Sequence, residues 1–151
     1  MAEQDLGKAV VALVNYDDDA LLKQVAMRAE ATKADPAISG SYDPIVTYDF
    51  EHAGIADDLR DLGARIFRRW ERELHAVVCG TDDADKKDRD SILTQIKADD
   101  ATLGATVGAV LIGLGVGPAV AAVLAALLLK RILKPAGSEV CKYWSEQLAK
   151  R

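Results

Sequence analysis

Residues 101–129 read ATLGATVGAVLIGLGVGPAVAAVLAALLL and contain no charged side chain. About 20 apolar residues are enough to cross the hydrocarbon core of a bilayer, so this run is long enough for a membrane span. Lys130, Arg131 and Lys134 follow it, a basic flank typical of cytoplasmic loops. A segment that is apolar all round belongs either in lipid or at the centre of a protein.

The middle of the run predicts a bend rather than one straight helix. Gly115, Gly117 and Pro118 stand close together there. Glycine destabilises a helix interior, whereas proline suits the first turn of a new helix. We therefore predict an apolar helical hairpin within residues 101–134.

The two arms of this hairpin follow from its capping and breaking residues. The first helix is predicted from Thr102 to Gly113, capped by Asp100, and the second from Pro118 to Leu133, ended by Pro135. At 1.5 Å per residue they measure about 18 and 24 Å, both short of an ordinary hydrocarbon core. This shortness favours a hairpin at the centre of a globule.

Small residues on the arms predict close helix contacts. Gly104 with Gly108, and Gly113 with Gly117, form G-x-x-x-G pairs, which let helices approach closely in lipid. The predicted hairpin surface, which would meet lipid or neighbouring helices, comprises Leu103, Gly104, Gly108, Leu111, Gly115, Gly117, Pro118, Val120, Leu124 and Leu128.

The N-terminal third predicts two helices and a connector. Residues 1–33 hold the two helices, and Asp17 to Asp19 can cap the second. A short buried strand over Ala9 to Tyr16 is the alternative for the first apolar run. Residues 34–54 contain Pro and Gly and predict a connector, with one short extended segment at 45–50.

Residues 55–98 predict amphipathic helices that could cover the hairpin. The clearest one runs from Ile55 to about Val78, and Gly80 follows where a left-handed cap belongs. Its predicted apolar stripe comprises Ile55, Leu59, Leu62, Ile66, Trp70, Leu74 and Val77. A second helix is predicted to begin at Thr81 and to reach Ile96.

A last amphipathic helix is predicted at 138–150, with Val140, Cys141, Trp144 and Leu148 on one face. Together these elements predict one all-α domain over residues 1–151. Its architecture would be a compact bundle of about six helices around the central apolar hairpin.

Charge is distributed unevenly along the chain. The net charge is -5: residues 1–129 hold 13 Lys and Arg against 22 Asp and Glu, whereas residues 130–151 hold 6 against 2. An acidic body repels phosphate backbones, so nucleic acid is not an expected partner.

The long amphipathic helix carries five arginines among several acidic residues, and most of these charges are expected to form a solvated face with ion pairs along the helix. The functional interpretation is contact with an acidic partner or with lipid headgroups. The residues predicted for it are Arg65, Arg69, Arg72, Lys130, Arg131 and Lys134.

The sequence contains no catalytic signature. His52, His75, Cys79 and Cys141 have the composition of a zinc site but lack its paired spacing. The acidic residues 82–90 lack the glycine and glutamate of a calcium loop. We therefore predict no enzyme activity, no metal site, no cofactor and no small-molecule substrate. The two cysteines are expected to be reduced thiols in a cytoplasmic protein, free or at the inner face of the membrane.

Two functions remain open. The first is a membrane-associated protein whose hairpin enters lipid, with a triggered pore-forming or membrane-disrupting effector as its more specific form. The arrangement resembles, in architecture and through no sequence motif, pore-forming domains of the colicin type, in which amphipathic helices surround an apolar hairpin. The second is an adaptor or oligomerisation module with a permanently buried hairpin, which binds a protein partner or a second copy of itself.

Overall fold

The structure, a computed structural model, describes residues 3–35, 41–42 and 56–150. The described residues are all-α and contain no strand, which confirms the predicted fold class. The predicted extended segment at 45–50 lies outside them. The α-helices are α1 (Glu3–Val14), α2 (Asp18–Ala34), α3 (Ala56–Cys79), α4 (Lys86–Thr94), α5 (Asp100–Gly113), α6 (Pro118–Leu128), α7 (Lys134–Ala136) and α8 (Val140–Ala149).

The predicted hairpin is confirmed, and its bend is a glycine-dependent helix end. Gly115 has a φ of 111°, which side chains of L-residues rarely adopt. The N–H of Val116 donates to the Leu111 carbonyl, and that of Gly115 donates to Ile112, each at 3.0 Å. These are the two bonds of a Schellman motif. Pro118 then opens α6 in the first helical turn.

Helix α6 lies at the centre of the fold. Every residue from Ala119 to Leu129 is buried. Helices α1, α2 and α5 pack against it, and α3 contacts it over a smaller area. The second arm of the apolar hairpin is thus enclosed by its own chain.

The two arms differ from their predicted limits. Asp99, not Asp100, caps α5, because the Asp99 carboxylate accepts the Thr102 N–H at 2.7 Å. The second arm does not end before Pro135. A π-helical turn at Leu129–Leu133 brings the Lys134 N–H to the Leu129 carbonyl, five residues earlier. This wider turn accommodates the proline, and the helix continues to Ala136.

The N-terminal helices follow the prediction. Ala9 to Val14 belong to α1, so the alternative of a strand over Ala9 to Tyr16 is wrong. Asp17 caps α2 by accepting the Ala20 N–H at 2.7 Å. The next predicted helix begins later than expected: Asp82, not Thr81, caps a short 3₁₀ turn that leads into α4.

The buried face of α3 lies about one position away from the predicted stripe. Leu74 and Val77 are buried as expected, but Leu59, Leu62, Ile66 and Trp70 are only half-buried. Gly63, Phe67, Glu71 and Val78 occupy the buried face instead. The shift has a steric reason, because Gly63 allows α2 to approach α3 closely.

The C-terminus of α3 also differs from the prediction, because Gly80 has no left-handed backbone. The Arg89 guanidinium donates to the carbonyls of Val77 and Asp82, at 3.0 and 2.9 Å, and so satisfies the end of the helix. Glycine is needed at position 80 because the backbone packs closely there, not because of an unusual dihedral angle. A Cβ atom there would lie 2.1 Å from the Ala76 carbonyl oxygen.

Glycines also set the distance between α1 and α5. A Cβ atom on Gly104 would lie 2.6 Å from the Val10 side chain, and one on Gly108 would lie 2.8 Å from Leu6. The first G-x-x-x-G pair therefore packs against a helix of the same chain. The second pair forms no helix face, since Gly113 ends α5 and Gly117 caps α6.

Gly63→Ala tests the closest helix contact. A Cβ atom at this position would lie 1.8 Å from the Leu22 carbonyl oxygen, so α2 and α3 must separate. We expect a loss of roughly 1–3 kcal/mol in the free energy of unfolding, the usual cost of overpacking. Urea denaturation monitored by circular dichroism measures it.

Gly113→Ala is the matched control, because nothing lies within 4 Å of the position of its Cβ. There the better helix propensity of alanine should leave stability unchanged or raise it by up to about 1 kcal/mol. Equal stabilities for the two variants would contradict the close approach at Gly63.

Candidate interaction surface

A basic face runs along the solvent side of α3. We use this name for Arg65, Arg68, Arg69 and Arg72, all of which are exposed. Their spacing of three and four residues places them on one side of the helix, over about two turns. The Arg69 guanidinium lies over the Trp70 ring, 5.0 Å from its centroid. This cation–π contact helps to hold the Arg69 side chain in position.

No arginine of the basic face forms an ion pair with any described residue. The ion pairing predicted along the helix at spacings of three and four residues is not found among the described side chains. Beside the face, Arg60 lies 3.8 Å from Asp19 of α2 and 3.7 Å from its chain neighbour Asp61. Like charges three or four residues apart destabilise a helix by about 0.2–0.5 kcal/mol per pair. Asp61 and Glu73, each four residues from an arginine of the face, offset part of this cost, and an anionic partner would relieve the rest.

The basic flank after the hairpin has internal partners. Lys130 lies 3.2 Å from the Asp18 carboxylate, and Arg131 lies 3.7 Å from the same side chain. Lys134 pairs with Asp100 at 2.6 Å. These residues connect the end of the hairpin to the starts of α2 and α5. Their predicted contact with a partner or with headgroups stays a prediction.

Arg131 also bounds a small cavity beside the basic face. Its guanidinium lies over the Phe67 ring at 5.2 Å. The cavity has a volume of about 260 Å³ and is lined in part by Arg60, Arg68 and Asp61. Two aspartates lie among the arginines that line it, so part of its positive charge is neutralised locally. The basic face itself is the better anion site.

The predicted hairpin surface is almost entirely core. Among its residues the structure buries Leu103, Gly104, Gly108, Leu111, Val120, Leu124 and Leu128. Gly115, Gly117 and Pro118 form the bend and retain partial exposure. In the described part of the chain, no helix has both the length and the apolar character needed to cross a membrane.

Cys79 and Cys141 are joined by a disulfide bond, with their Cα atoms 5.5 Å apart. The expectation of two reduced thiols is therefore wrong. The bond links the last residue of α3 to α8, a proximity created by tertiary packing that a separation of 62 residues does not reveal. Because disulfides are typical of oxidising compartments, the cytoplasmic prediction loses this support.

His75, the described histidine of the predicted zinc set, lies in a packed contact between α3 and α8. His75 Nε2 lies 3.2 Å from Ser145 Oγ, and its ring meets the Trp144 ring edge-on at 5.2 Å. Across the described ranges, no group of three or more His, Cys, Asp or Glu side chains is placed to hold a metal ion. His52 lies outside those ranges.

The prediction missed two buried charged residues, Arg28 and Glu71. The Arg28 guanidinium donates to the carbonyls of Tyr42 and Ala119, each at 2.9 Å, and so connects α2 to the start of α6. Both residues fall at helical spacing within buried apolar stripes. A charged residue at a core position of the pattern is the signal that could have identified them.

A groove of about 790 Å³ lies between α4 and α5. Its hydroxyl groups are used within their own helices: Ser91 Oγ donates to the Lys87 carbonyl, and Thr106 Oγ1 donates to the Thr102 carbonyl. Lysine and aspartate side chains also line it. The groove therefore presents mixed polarity without a convergent set of reactive groups.

Stability should depend on the protonation of His75. Partial burial lowers the pKa of His75 below its ordinary value of 6.5. The unfolded chain then binds more protons than the folded one, so stability falls as the pH drops through 6.5 towards the folded value. We expect the melting temperature to decrease between pH 7.5 and about pH 5.5.

His75→Phe keeps an aromatic ring beside Trp144 and removes the titrating group. Its melting temperature should depend less on pH over this interval than that of the wild type, whatever its absolute value. Identical pH profiles for the two proteins, measured by calorimetry, would contradict the role of His75.

Comparisons of this chain with protein-family models, with curated proteins and with solved structures gave no match.

Proposed function

We propose that the protein is a non-enzymatic helical interaction module that binds an acidic protein partner through the basic face of α3. The observation that carries this proposal is the set of four exposed arginines without an ionic partner among the described residues. The neighbouring basic residues Lys130, Arg131 and Lys134 have carboxylate partners inside the fold. The contrast favours an external partner for the basic face.

A protein partner fits the charge of the chain better than a nucleic acid does. The net charge is -5, and acidic residues predominate before residue 130. A phosphate backbone would be repelled by most of this surface, whereas a partner with a local acidic strip would contact only α3. Arginine also suits such contacts, because its planar guanidinium can pair with a carboxylate through two hydrogen bonds.

Three charge reversals test the basic face. Arg65→Glu, Arg69→Glu and Arg72→Glu together should weaken binding of a glutamate-rich peptide by roughly tenfold or more, since exposed ion pairs contribute about 0.2–1 kcal/mol each. The melting temperature should change little, because these side chains are exposed. Isothermal titration at low ionic strength measures the affinity.

The matched control reverses three exposed lysines elsewhere: Lys97→Glu, Lys142→Glu and Lys150→Glu. Both triple variants change the net charge equally, so the control should retain the affinity of the wild type within about twofold. Equal weakening in both variants would show that net charge alone drives peptide binding. That result would contradict a site on α3.

Membrane insertion of the hairpin is the second candidate, favoured by the 29 uncharged residues at 101–129. It requires the surrounding helices to leave α6. Burial of one large apolar side chain contributes about 1.5–3 kcal/mol, so exposing several of them approaches the whole stability of a domain, about 5–15 kcal/mol. Insertion therefore requires that contact with lipid offset this free-energy cost while the surrounding helices separate from α6.

Vesicle leakage separates the two functions. Because α6 is enclosed, we expect vesicles that contain anionic lipid to retain a trapped dye when the protein is added, with or without a thiol reductant. Reduction is included because it frees α8 from its covalent link to α3. Rapid dye release under either condition would support the membrane function and contradict a permanently buried hairpin.

A further inference from the structure

Charges of opposite sign are separated along a single face of α3. Asp58 and Asp61 come first, and Arg65, Arg69 and Arg72 follow. At 3.6 residues per turn these five positions fall within an arc of about 80° and extend over about 21 Å of helix. All five residues are exposed. The face therefore has an acidic end and a basic end.

The helix dipole explains the position of the acidic end but not that of the basic end. Acidic residues near the start of a helix are favoured by its positive N-terminus. The arginines, however, lie in the middle of a helix that runs from Ala56 to Cys79, and its last turn has no basic residue. Their position calls for another explanation.

The pattern is self-complementary about Arg65. Asp58 and Arg72 each lie seven positions from Arg65, and Asp61 and Arg69 each lie four positions from it. In an antiparallel pair of α3 helices with Arg65 at the two-fold axis, Asp58 faces Arg72 of the second copy. Asp61 then faces Arg69 of the second copy, and symmetry repeats both pairs.

We infer that the acidic partner of the basic face is a second copy of this chain, bound through an antiparallel α3 pair. This inference rests on the proposed function and names its partner. The isologous contact closes at two copies, because both use the same face. Asp61 must give up a long contact to Arg60, at 3.7 Å, to join it.

The dimer is expected to be weak and sensitive to salt. Two helix faces about 21 Å long bury less area than a stable interface of about 1,600 Å² needs, and the contacts are mainly exposed ion pairs. At the axis the two Arg65 side chains repel each other. Arg65→Ala should therefore strengthen self-association while weakening the binding of an unrelated acidic peptide.

A charge-swap experiment tests the pairing. One variant carries Asp58→Arg and Asp61→Arg, which makes the whole face basic; the other carries Arg69→Asp and Arg72→Asp, which makes most of it acidic. In sedimentation equilibrium at low ionic strength, the wild type should dimerise and each variant alone should stay monomeric. An equal mixture of the two variants should form heterodimers, because every facing pair other than Arg65 with Arg65 is again of opposite sign.

Matched controls place the same charge changes at exposed positions away from α3. Asp83→Arg with Glu146→Arg is the control for the first variant, and Lys142→Asp with Lys150→Asp is the control for the second. Both controls should dimerise like the wild type. The heterodimer itself shows that both variants fold, so loss of dimer in each alone cannot be attributed to unfolding.

Three results would overturn the inference. The wild type could stay monomeric at millimolar concentration and low salt, or either charge-swap variant alone could still form dimers. The third result is an equal mixture of the two variants that fails to associate. None of them would overturn the proposed function if the glutamate-rich peptide still bound the basic face. Loss of peptide binding in the triple arginine variant together with a monomeric wild type would assign the face to a different acidic protein.

Discussion

The enclosure of α6 constrains the rest of the structure. A helix with apolar side chains in every direction has no side that can face water, so it needs neighbours all round. Helices α1, α2, α3 and α5 supply them, and each must present an apolar face to the centre. The same constraint limits polar groups near α6. Arg28 is tolerated there because its buried guanidinium donates hydrogen bonds to the carbonyls of Ala119 and Tyr42.

The charged outer surface carries the site proposed for partner binding. Two kinds of basic residue can be distinguished there. Lys130 and Lys134 have carboxylates within 4 Å and hold helices of the same chain together. The arginines of the basic face have no such carboxylate among the described residues. Basic side chains that stabilise the fold thus have carboxylate neighbours in the same chain. Those that are open to a partner lack such neighbours.

Local signals in the sequence predicted most of the fold. The glycines and Pro118 indicated the bend, and Asp17 indicated a helix start, because turn and cap geometry depend on a few adjacent residues. Features that depend on tertiary contacts were not predictable in this way. Arg89 replaces a glycine cap at the end of α3, and Cys79 meets Cys141 only after α8 has packed.

The candidate site was predicted in residue type but not in its surroundings. Sequence spacing placed Arg65, Arg69 and Arg72 on one face, and the structure exposes all three. The spacing could not distinguish them from Lys130 and Arg131, because the Asp18 carboxylate that pairs with both lies more than a hundred residues away in sequence. Which charges stay open to a partner is decided by the fold.

The uncharged run shows why a hydropathy signal alone does not decide between lipid and protein. Lipid and a protein core are equally apolar, and both favour small residues where helices approach. A protein core differs from lipid because each helix packs against side chains of fixed size and position. Gly104 faces Val10 and Gly108 faces Leu6, so the spacing of small residues on α5 is matched by larger ones on α1. Lipid chains provide no fixed pattern of this kind. The match between α1 and α5 therefore favours the interior of a protein as the environment for which this hairpin is suited.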